Sequence, residues 1–490
     1  MCLPVHSPDL FWHLSAGRWM AAHRAIPSAD PFSFTRLGEP WLDFEWLLQL
    51  FWYGVHSLGG LRALWALKGL SLAAVWLPVD GLLRDKGAGA ASRAAALALW
   101  ACAILPMADL RADLASAALL AVLLRRLEAG RASFLFGFGV FALWSNLHAG
   151  FPAGLALYAA YALGQRLGGR RIEGLGAEAC GALLGCLLNP YGLGLAAVFA
   201  AHGRDSVGTL VLEWGPIDWG FRYHRPLIAA LFAGAVAARA ARRSSPALAA
   251  AAAVLAVATA VSSRFAVYFA PVAAAAFGAA FPGLGLAAGA RLLGAASLLL
   301  VASAHGAEWG RAFSDVFVER AAADFVVAER ETFGRLRVFN TYEWGGYLGW
   351  RLGPEGKVFG DGRYLFHGQL AEIRKALTSP EEMSAFVSRH RLDALLIRRY
   401  PERVRGTMLF PDGASVEVTR PWHASYLPRS RWALVYADRD ALVFVDRAKV
   451  PAEWLAAREI SDRPGDEEAR DAAAAHGGDR NHPAPKQTRR

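Results

Sequence analysis

The first 58 residues hold the side chains best suited to acid–base chemistry. Asp9 and His13 are four residues apart, so a helix through them would present both on one face. Glu45 supplies a second carboxylate just before an aromatic-rich stretch. A carboxylate can take a proton from an attacking hydroxyl, and it can also hold a metal ion beside a phosphate. We predict that Asp9 and Glu45 are catalytic and that His13 orients Asp9 or contacts substrate.

Each of these residues also has a structural interpretation. Asp9 is a preferred helix N-cap, and His13 could pack under Trp12. Glu45 could complement the dipole of a helix that begins there. Asp30 directly precedes a proline, so a turn is its expected role.

Four more polar residues lie at the ends of apolar segments: Arg111, Asn146, His148 and Arg264. A guanidinium offers paired donors to a phosphate, and polar groups at membrane depth usually face a helix bundle or a water-filled site. We predict that all four bind substrate. Alternatively, Arg111 and Arg264 extend their guanidinium groups to the membrane interface, and Asn146 and His148 cap helix ends.

These residues border a long apolar region. The chain has 490 residues, of which 55% are hydrophobic and 19% charged, whereas soluble domains average about 25% charged residues. Apolar runs recur from residue 61 to 306, and a helix needs roughly 17–25 such residues to cross a bilayer. We therefore predict about ten spans in an α-helical polytopic membrane protein. They lie near 60–83, 92–108, 112–127, 132–148, 150–166, 173–188, 226–240, 246–262, 264–280 and 289–305.

The basic residues predict an orientation. Arginines and lysines collect in alternate breaks between these spans, which by the positive-inside rule are cytoplasmic. The opening loop, the other breaks and the C-terminal part then face outward. This placement accounts for the net charge of +10 without nucleic-acid binding. Residues 45–58 are apolar and aromatic, and we interpret them as a helix lying along the membrane, with a true span continuing to Trp65 as the alternative.

The remaining sequence predicts a small outer domain. Short β-type runs occur at 336–340, 357–360, 393–398, 432–438 and 441–446, with helical segments at 368–378 and 380–389. This alternation is typical of an α/β domain, and the last two strands predict a hairpin. Asp361 to Arg363 reads as an exposed turn with a local ion pair. We divide the chain into an opening loop (1–58), a helical bundle (59–306), an extracytoplasmic α/β domain (307–450) and a disordered tail (451–490).

Other chemistries find little support in the sequence. The cysteines Cys2, Cys102, Cys180 and Cys186 show no metal or redox spacing. The nucleotide-binding pattern G-x-x-x-x-G-K-[ST] is missing, which argues against an ATP-driven pump. Residues 1–8 have neither a basic start nor an apolar core, so we expect no cleavable signal peptide.

Several motifs resemble one bacterial family. They are D-L-F-W-H-L-S-A-G-R-W at 9–19, I-P-S-A-D-P-F-S-F-T at 26–35, W-L-D-F-E-W-L at 41–47, W-S-N-L-H-A-G-F at 144–151, L-N-P-Y-G at 188–192, E-W at 213–214, R-V-F-N-T-Y-E-W-G-G-Y-L-G-W-R-L at 337–352 and V-F-G-D-G-R at 358–363. The resemblance covers residues 9 to about 446. The family is related to the C-type (GT-C) glycosyltransferases, which include dolichyl-phosphate-mannose mannosyltransferases, and most of its members are uncharacterised.

The resemblance implies an enzyme with a lipid-linked sugar donor. In such transferases a polyprenyl phosphate lies between transmembrane helices, and an acid in the first external loop acts as base; Asp9 holds that position. Undecaprenyl phosphate is the implied carrier. These enzymes differ in their use of metal, so a divalent cation is left open and no other cofactor is expected. The family also has a first span before Asp9 that this sequence lacks, and we expect a misassigned start codon or a truncation.

We therefore predict a membrane glycosyltransferase in the bacterial inner membrane, with membrane lipid and a polyprenyl-phosphate sugar as partners. Tyr342 and Trp344 are predicted to bind the sugar, because aromatic rings stack on sugar faces; packing against the membrane is the alternative. A lipid-linked-sugar flippase and a non-catalytic envelope assembly protein remain competing hypotheses. A transporter would place ionisable groups in mid-span. The sugar, the acceptor and the oligomeric state stay open.

Overall fold

The structure is a computed structural model that describes residues 4–166, 171–196, 212–303, 312–314, 318–400, 402–409, 415–468 and 471. The chain divides into two units. The first comprises Met1–Ser28 and Trp41–Ser314, and the second comprises Ala29–Pro40 and Asp315–Arg490. A short piece of the opening loop therefore belongs to the same unit as the C-terminal part, whereas we had grouped it with residues 1–58.

The first unit is built from apolar helices. They are α1 (Leu10–His23), α2 (Trp46–Asp85), α3 (Ala90–Ile104), α4 (Ala112–Glu128), α5 (Phe134–Leu147), α6 (Pro152–Arg166), α7 (Leu175–Cys186), α8 (His224–Ala241), α9 (Pro246–Val261), α10 (Ala266–Ala280) and α11 (Leu286–Ser303). Short 3₁₀ turns at Leu105–Met107, Gly192–Gly194, Leu212–Trp214 and Ser263–Phe265 lie between them. Aliphatic side chains and many alanines fill the core of this bundle.

The predicted spans are confirmed as helices, because each of the ten segments coincides with one of α2–α11. Four helical stretches of the described chain are long and apolar enough to cross a membrane: Trp46–Asp85, Ala90–Met107, Ser263–Ala280 and Leu286–Ser303. Three further apolar helices, α5, α7 and α9, are shorter. These stretches support association with a membrane, and the count of ten spans stays a prediction.

Helix α2 is broken in its first half. Gly59 and Gly60 have non-helical backbone angles, and Gly60 has φ +60°, a conformation that glycine adopts at little cost. The break separates the stretch that we interpreted as a surface helix from the predicted span at 60–83. That the first stretch lies along the membrane surface remains a prediction.

Helices α5 and α7 approach closely because glycines face their contact. A Cβ on Gly137 would overlap the backbone of Glu178, and one on Gly181 or Gly185 would overlap backbone carbonyls of α5. Small residues four apart allow helix backbones to meet in this way within membranes, where van der Waals packing stabilises helix pairs.

One end of the bundle is joined by polar contacts between breaks that we assigned to the cytoplasm. Lys86, directly after α2, pairs with Glu128 at the end of α4 at 2.5 Å. Glu128 also accepts hydrogen bonds from Tyr161 and from Ser245, the residue before α9. These contacts hold the breaks after α2, α4 and α8 together, as the charge pattern predicted. The face of the membrane that this end occupies stays a prediction.

The second unit combines short strands and helices. Its helices are α12 (Arg320–Ala328), α13 (Arg330–Phe333), α14 (Gly345–Leu352), α15 (His367–Ala376), α16 (Pro380–His390), α17 (Trp422–Tyr426) and α18 (Ala452–Arg458). Its strands are β1 (Val338–Asn340), β2 (Ala394–Arg398), β3 (Arg403–Leu409), β4 (Ser415–Pro421), β5 (Trp432–Ala437) and β6 (Ala441–Asp446).

A four-stranded sheet with the order β1-β2-β6-β5 forms the core of this unit. β1 is parallel to β2, while β6 is antiparallel to both β2 and β5. The predicted α/β character and the β5–β6 hairpin are confirmed. The strand predicted at 357–360 is wrong, since Val358 makes only an isolated bridge with Ser33. The β3–β4 hairpin was not predicted, because its residues alternate charged with small or aliphatic side chains and carry no long apolar run.

The loop segment 29–40 is anchored by a buried ion-pair network. Arg363 donates to Asp30 Oδ1 at 2.8 Å and to both oxygens of Asp361 at 2.8–3.1 Å. All three side chains are buried. The prediction of an exposed turn at Asp361 to Arg363 is therefore wrong, although its local ion pair is present. Asp30 also accepts hydrogen bonds from the backbone of Phe32 and Ser33, which is the turn role expected of it.

The prediction of a disordered tail from residue 451 is wrong for 452–458, which form α18. Leu455 is buried, and both Trp454 and Arg458 donate hydrogen bonds to Glu329. These three side chains provide the apolar and ionic contacts that a disordered segment lacks. Residues 472–490 lie outside the described part of the chain.

Candidate functional site

The first turn of α4 places a carboxylate among cations. Asp113 is buried, and its oxygens lie 3.4 Å from Arg264 Nη2, 3.2 Å from His148 Nε2 and 3.5 Å from Arg111 Nε. Arg111 directly precedes α4 and Arg264 precedes α10, while His148 follows α5. Three helix ends therefore meet at Asp113.

A chain of hydrogen bonds fixes the ring of His148. The Trp144 indole donates to Ser116 Oγ at 2.6 Å, and Ser116 Oγ lies 2.7 Å from His148 Nδ1. The backbone N–H of Gly150 also donates to Nδ1, at 3.1 Å. Because Nδ1 accepts a hydrogen bond, the ring proton resides on Nε2, which faces Asp113. The fold thus selects one tautomer of His148.

Glu45 lies between two histidines. Its oxygens are 3.6 Å from His148 Nε2 and 3.8 Å from His13 Nδ1. Burial, followed by the nearby negative charge of Asp43, raises the pKa of Glu45 well above its ordinary value. Burial likewise lowers the pKa of His13 well below its ordinary value, reinforced by His148. Burial therefore favours the protonated form of Glu45 and the neutral form of His13, and a protonated carboxyl at this position can donate a proton.

Asp9 differs from Glu45 in its surroundings. It directly precedes α1, and its Oδ1 accepts a hydrogen bond from the indole of Trp12 at 3.1 Å. Burial raises the pKa of Asp9 to about 6, while Arg111 opposes that increase. At neutral pH Asp9 is mostly ionised, so it is able to accept a proton. The Asp9 side chain makes no N-cap hydrogen bond to α1, so the capping alternative for Asp9 fails. The ring of His13 approaches Glu45, as described above.

Two arginines share a second carboxylate. Glu213 Oε1 lies 2.7 Å from Arg111 Nη2 and 3.3 Å from Arg264 Nη1. The guanidinium of Arg264 also lies over the ring of Trp214, 4.5 Å from its centre. The E-W motif at 213–214 thus supplies both an anion and an aromatic platform. We had quoted this motif for the family resemblance without assigning it a role.

The structure brings together six of the nine predicted site residues: Asp9, His13, Glu45, Arg111, His148 and Arg264. All lie in the first unit. The assembly includes Asp113, Ser116, Glu213 and Tyr268, whose place in the site was missed because they are distant in sequence and common in helices. The predicted catalytic and binding roles remain predictions.

Asn146 is used within the helix bundle. Its Oδ1 accepts a hydrogen bond from the indole of Trp46 at 2.9 Å, and its Nδ2 donates to the carbonyls of Ala142 and Leu188 at 2.7 Å. These contacts tie the start of α2 to the ends of α5 and α7. They match the helix-end capping that we kept as the alternative to substrate binding.

Tyr342 and Trp344 lie in the second unit. The Tyr342 hydroxyl donates to the carbonyl of Gly362 at 2.9 Å, and Trp344 is buried with the guanidinium of Arg398 over its ring at 5.8 Å. Both side chains make contacts within their own unit. Their predicted role in sugar binding stays untested.

No three His, Cys, Asp or Glu side chains in the described ranges are arranged to hold a metal ion. The nitrogens of His13 and His148 lie 3.2–3.8 Å from the carboxyl oxygens of Glu45 and Asp113. Metal dependence therefore stays open.

Gly150 is a site where a single methyl group should have a measurable effect. A Cβ there would overlap the Tyr268 hydroxyl and Ser116 Oγ and would lie 2.8 Å from His148 Nδ1. We expect Gly150→Ala to displace His148 and to lower the free energy of unfolding by about 1–3 kcal/mol. Thermal unfolding in detergent would measure this. The control is Gly139→Ala in α5, where a Cβ meets nothing within 4 Å; equal stabilities of the two variants would contradict the prediction.

No model of a known protein family matches this chain, and no curated protein matches it significantly.

Proposed function

We propose that the chain is a membrane glycosyltransferase that moves a sugar from a polyprenyl-phosphate donor to an acceptor at the outer face of the bacterial inner membrane. The observation that supports this most is a set of buried carboxyls beside two arginines, at one end of an apolar helix bundle. The GT-C resemblance, the count of about ten spans and the extracytoplasmic position of the C-terminal unit belong to this proposal.

The pKa values of the two predicted catalytic acids are both raised by burial, that of Asp9 to about 6 and that of Glu45 well above its ordinary value. In the proposed reaction a hydroxyl of the acceptor attacks the anomeric carbon, and the bond from that carbon to the phosphate oxygen breaks. The electron pair leaves with the polyprenyl phosphate, and the hydroxyl proton goes to Asp9, whose pKa of about 6 leaves it ionised near neutral pH. Glu45, protonated, would donate a hydrogen bond to the phosphate or the sugar. Pairs of carboxyls with divergent pKa values commonly divide roles in this way.

Arg111 and Arg264 would hold the donor phosphate. Their guanidinium groups share Glu213 as a common partner, so one small anion can contact both. Arg264 also stacks on Trp214, which limits its movement.

The length of helix α4 supports a site near one face of the membrane. α4 has 17 residues, a length of about 25 Å at 1.5 Å per residue. Asp113 lies at its first turn, and Glu128, with the opposite polar network, at its last. The Asp113 cluster and the Glu128 network therefore lie at opposite ends of α4, and a separation of about 25 Å supports placing them near opposite faces of a bilayer core of about 30 Å.

One observation favours a transporter. Lys68 lies within α2, is buried, and pairs with Asp109 at 3.3 Å, so the spans are not free of buried charge. Asp109, however, precedes α4 on the side that carries Arg111, so this pair lies towards the same end as the carboxyl cluster. We therefore keep transfer as the main proposal.

The test is transfer of label from a radiolabelled polyprenyl-phosphate hexose in membranes that contain the chain, with membranes lacking it as control. We expect the rate to rise with pH through about 6 and then to level off, because Asp9 must be ionised to accept a proton. A rate that is constant from pH 5 to pH 8 would exclude Asp9 as the base. Absence of transfer with several sugars and acceptors would favour the transporter or assembly hypotheses.

A further inference from the structure

Glu213 is placed to compete with any anion for Arg111 and Arg264. A single oxygen, Oε1, contacts both guanidinium groups, at 2.7 and 3.3 Å. This is the geometry that a phosphate oxygen would adopt between two arginines. A phosphate cannot use these donors fully while the carboxylate remains on them.

The charge balance makes the competition direct. The two guanidinium groups are paired with Asp113 and Glu213, and the charge of Asp9 also acts on Arg111, so negative charge already offsets both positive charges. An added phosphate would leave excess negative charge in a partly buried site, which is costly. Exchange of one anion for another keeps the balance. Glu213 is the one suited to leave, because its side chain is 22% exposed while that of Asp113 is 3% exposed.

The backbone around Glu213 is held while its side chain can rotate. The carbonyl of Glu213 accepts hydrogen bonds from Ser262 at 3.3 Å and Ser263 at 3.1 Å. The backbone N–H of Ser263 donates to the carbonyl of Gly215 at 3.0 Å. Release of the carboxylate therefore needs only rotation about side-chain bonds.

We propose that Glu213 is an exchangeable counterion, which the phosphate of a prenyl phosphate displaces from Arg111 and Arg264. This inference rests on the proposed function, since it concerns the donor-phosphate site of that reaction. It makes Glu213 a determinant of affinity for phosphate, with no part in proton transfer.

The test measures binding of farnesyl phosphate, farnesol and inorganic phosphate to the purified full chain and to Glu213→Gln. We expect the wild-type chain to prefer farnesyl phosphate, and Glu213→Gln to bind it about tenfold more tightly with farnesol unchanged. The control is Asp85→Asn, which removes the carboxylate that pairs with Arg125. Asp85 is the last residue of α2 and lies at the end of the bundle that carries Glu128, away from Arg111 and Arg264. The affinity of this variant for farnesyl phosphate should equal that of the wild type.

The outcomes separate this inference from the proposed function. Unchanged or weaker binding of farnesyl phosphate by Glu213→Gln, with binding by the wild type, would overturn the exchange and leave the function standing. Tighter binding of inorganic phosphate alone would support the exchange but argue against a lipid donor. Absence of phosphate binding in both proteins would overturn both proposals.

A second measurement needs no variant, in case Glu213→Gln folds poorly. Labelling of Glu213 by a carbodiimide, followed by mass spectrometry, reports how accessible its carboxyl group is. Farnesyl phosphate should increase this labelling severalfold in the wild-type chain, because the carboxyl group leaves the arginines. Protection from labelling would overturn the exchange.

Discussion

Replacing Asp9 by Asn is expected to abolish sugar transfer and at the same time to stabilise the protein above pH 7. Asn retains the Oδ1 that accepts the Trp12 hydrogen bond but cannot accept the proton of an attacking hydroxyl. Loss of a positioned base typically lowers a rate by 10²–10⁴-fold or more. The same change removes a charge that the surrounding protein disfavours.

The sign of the stability effect follows from the raised pKa of Asp9, which is about 6 against an ordinary value of 3.8. The folded state holds the proton more tightly than the unfolded state, so stability falls as pH rises from about 4 to about 6. Well above pH 6 the wild type bears the full cost of this partly buried charge. Asn bears none, and because Asp9 is partly exposed we expect a gain of about 1–3 kcal/mol. Below pH 4 the difference should vanish.

Thermal unfolding at pH 5 and pH 8, with label transfer measured in parallel, would check this expectation. Asp109→Asn is the matched control, because Asp109 pairs with the buried Lys68 and accepts a hydrogen bond from the backbone of His6. Removing that charge should destabilise the chain. A less stable Asp9→Asn variant, or one that retains transfer, would contradict the assignment of Asp9.

Local patterns predicted the parts of the site that neighbouring residues determine. Asp9 and His13 lie within one helical turn of each other, and apolar run lengths located the ten described helices α2–α11. Basic residues also grouped the breaks after α2, α4 and α8, which contacts with Glu128 bring together. This pattern arises because unpaired charges are excluded from the apolar core. These properties depend on a few adjacent residues and the solvent, so one sequence suffices to reveal them.

The contacts that complete the site depend on tertiary packing. Glu213 reaches Arg111 across 102 residues of sequence, and Ser116 reaches His148 across 32. The sequence indicates that such groups are polar and near helix ends, but several pairings satisfy that condition equally well. Asn146 shows the same limit, since an amide at a helix end can cap backbone carbonyls or bind substrate, and only its neighbours decide.

A contact between residues still more distant in sequence leads to the second large effect. Arg363 lies 333 residues from Asp30, and the two are joined at 2.8 Å with Asp361 on the other side of the guanidinium. The exposed fraction of each of these side chains is 3% or less. Phe32 and Phe366 have their ring centres 5.1 and 5.2 Å from the guanidinium carbon. Water therefore cannot replace the cation if it is removed.

We expect Arg363→Met to lower the free energy of unfolding of the second unit by about 3–5 kcal/mol, because two buried carboxylates lose their shared partner. Hydrogen exchange of the full chain should show lost protection in peptides covering 29–40 and 355–368. The control is Arg351→Met, which breaks the partly exposed pair with Asp324 and should cost no more than about 1 kcal/mol.

A triple variant distinguishes loss of the cation from loss of packing. Changing Asp30 and Asp361 to Asn together with Arg363→Met removes the uncompensated charges and retains side chains of similar size. Buried ion pairs replaced as a whole often cost little, whereas removal of one partner is costly. Protection should therefore return in part in the triple variant. If Arg363→Met and Arg351→Met exchange alike, the network does not anchor residues 29–40. The loop must then be held by its other contacts, such as the backbone bond of Phe34 to Val358 and the bonds of Thr35 to Phe359 and Gln369.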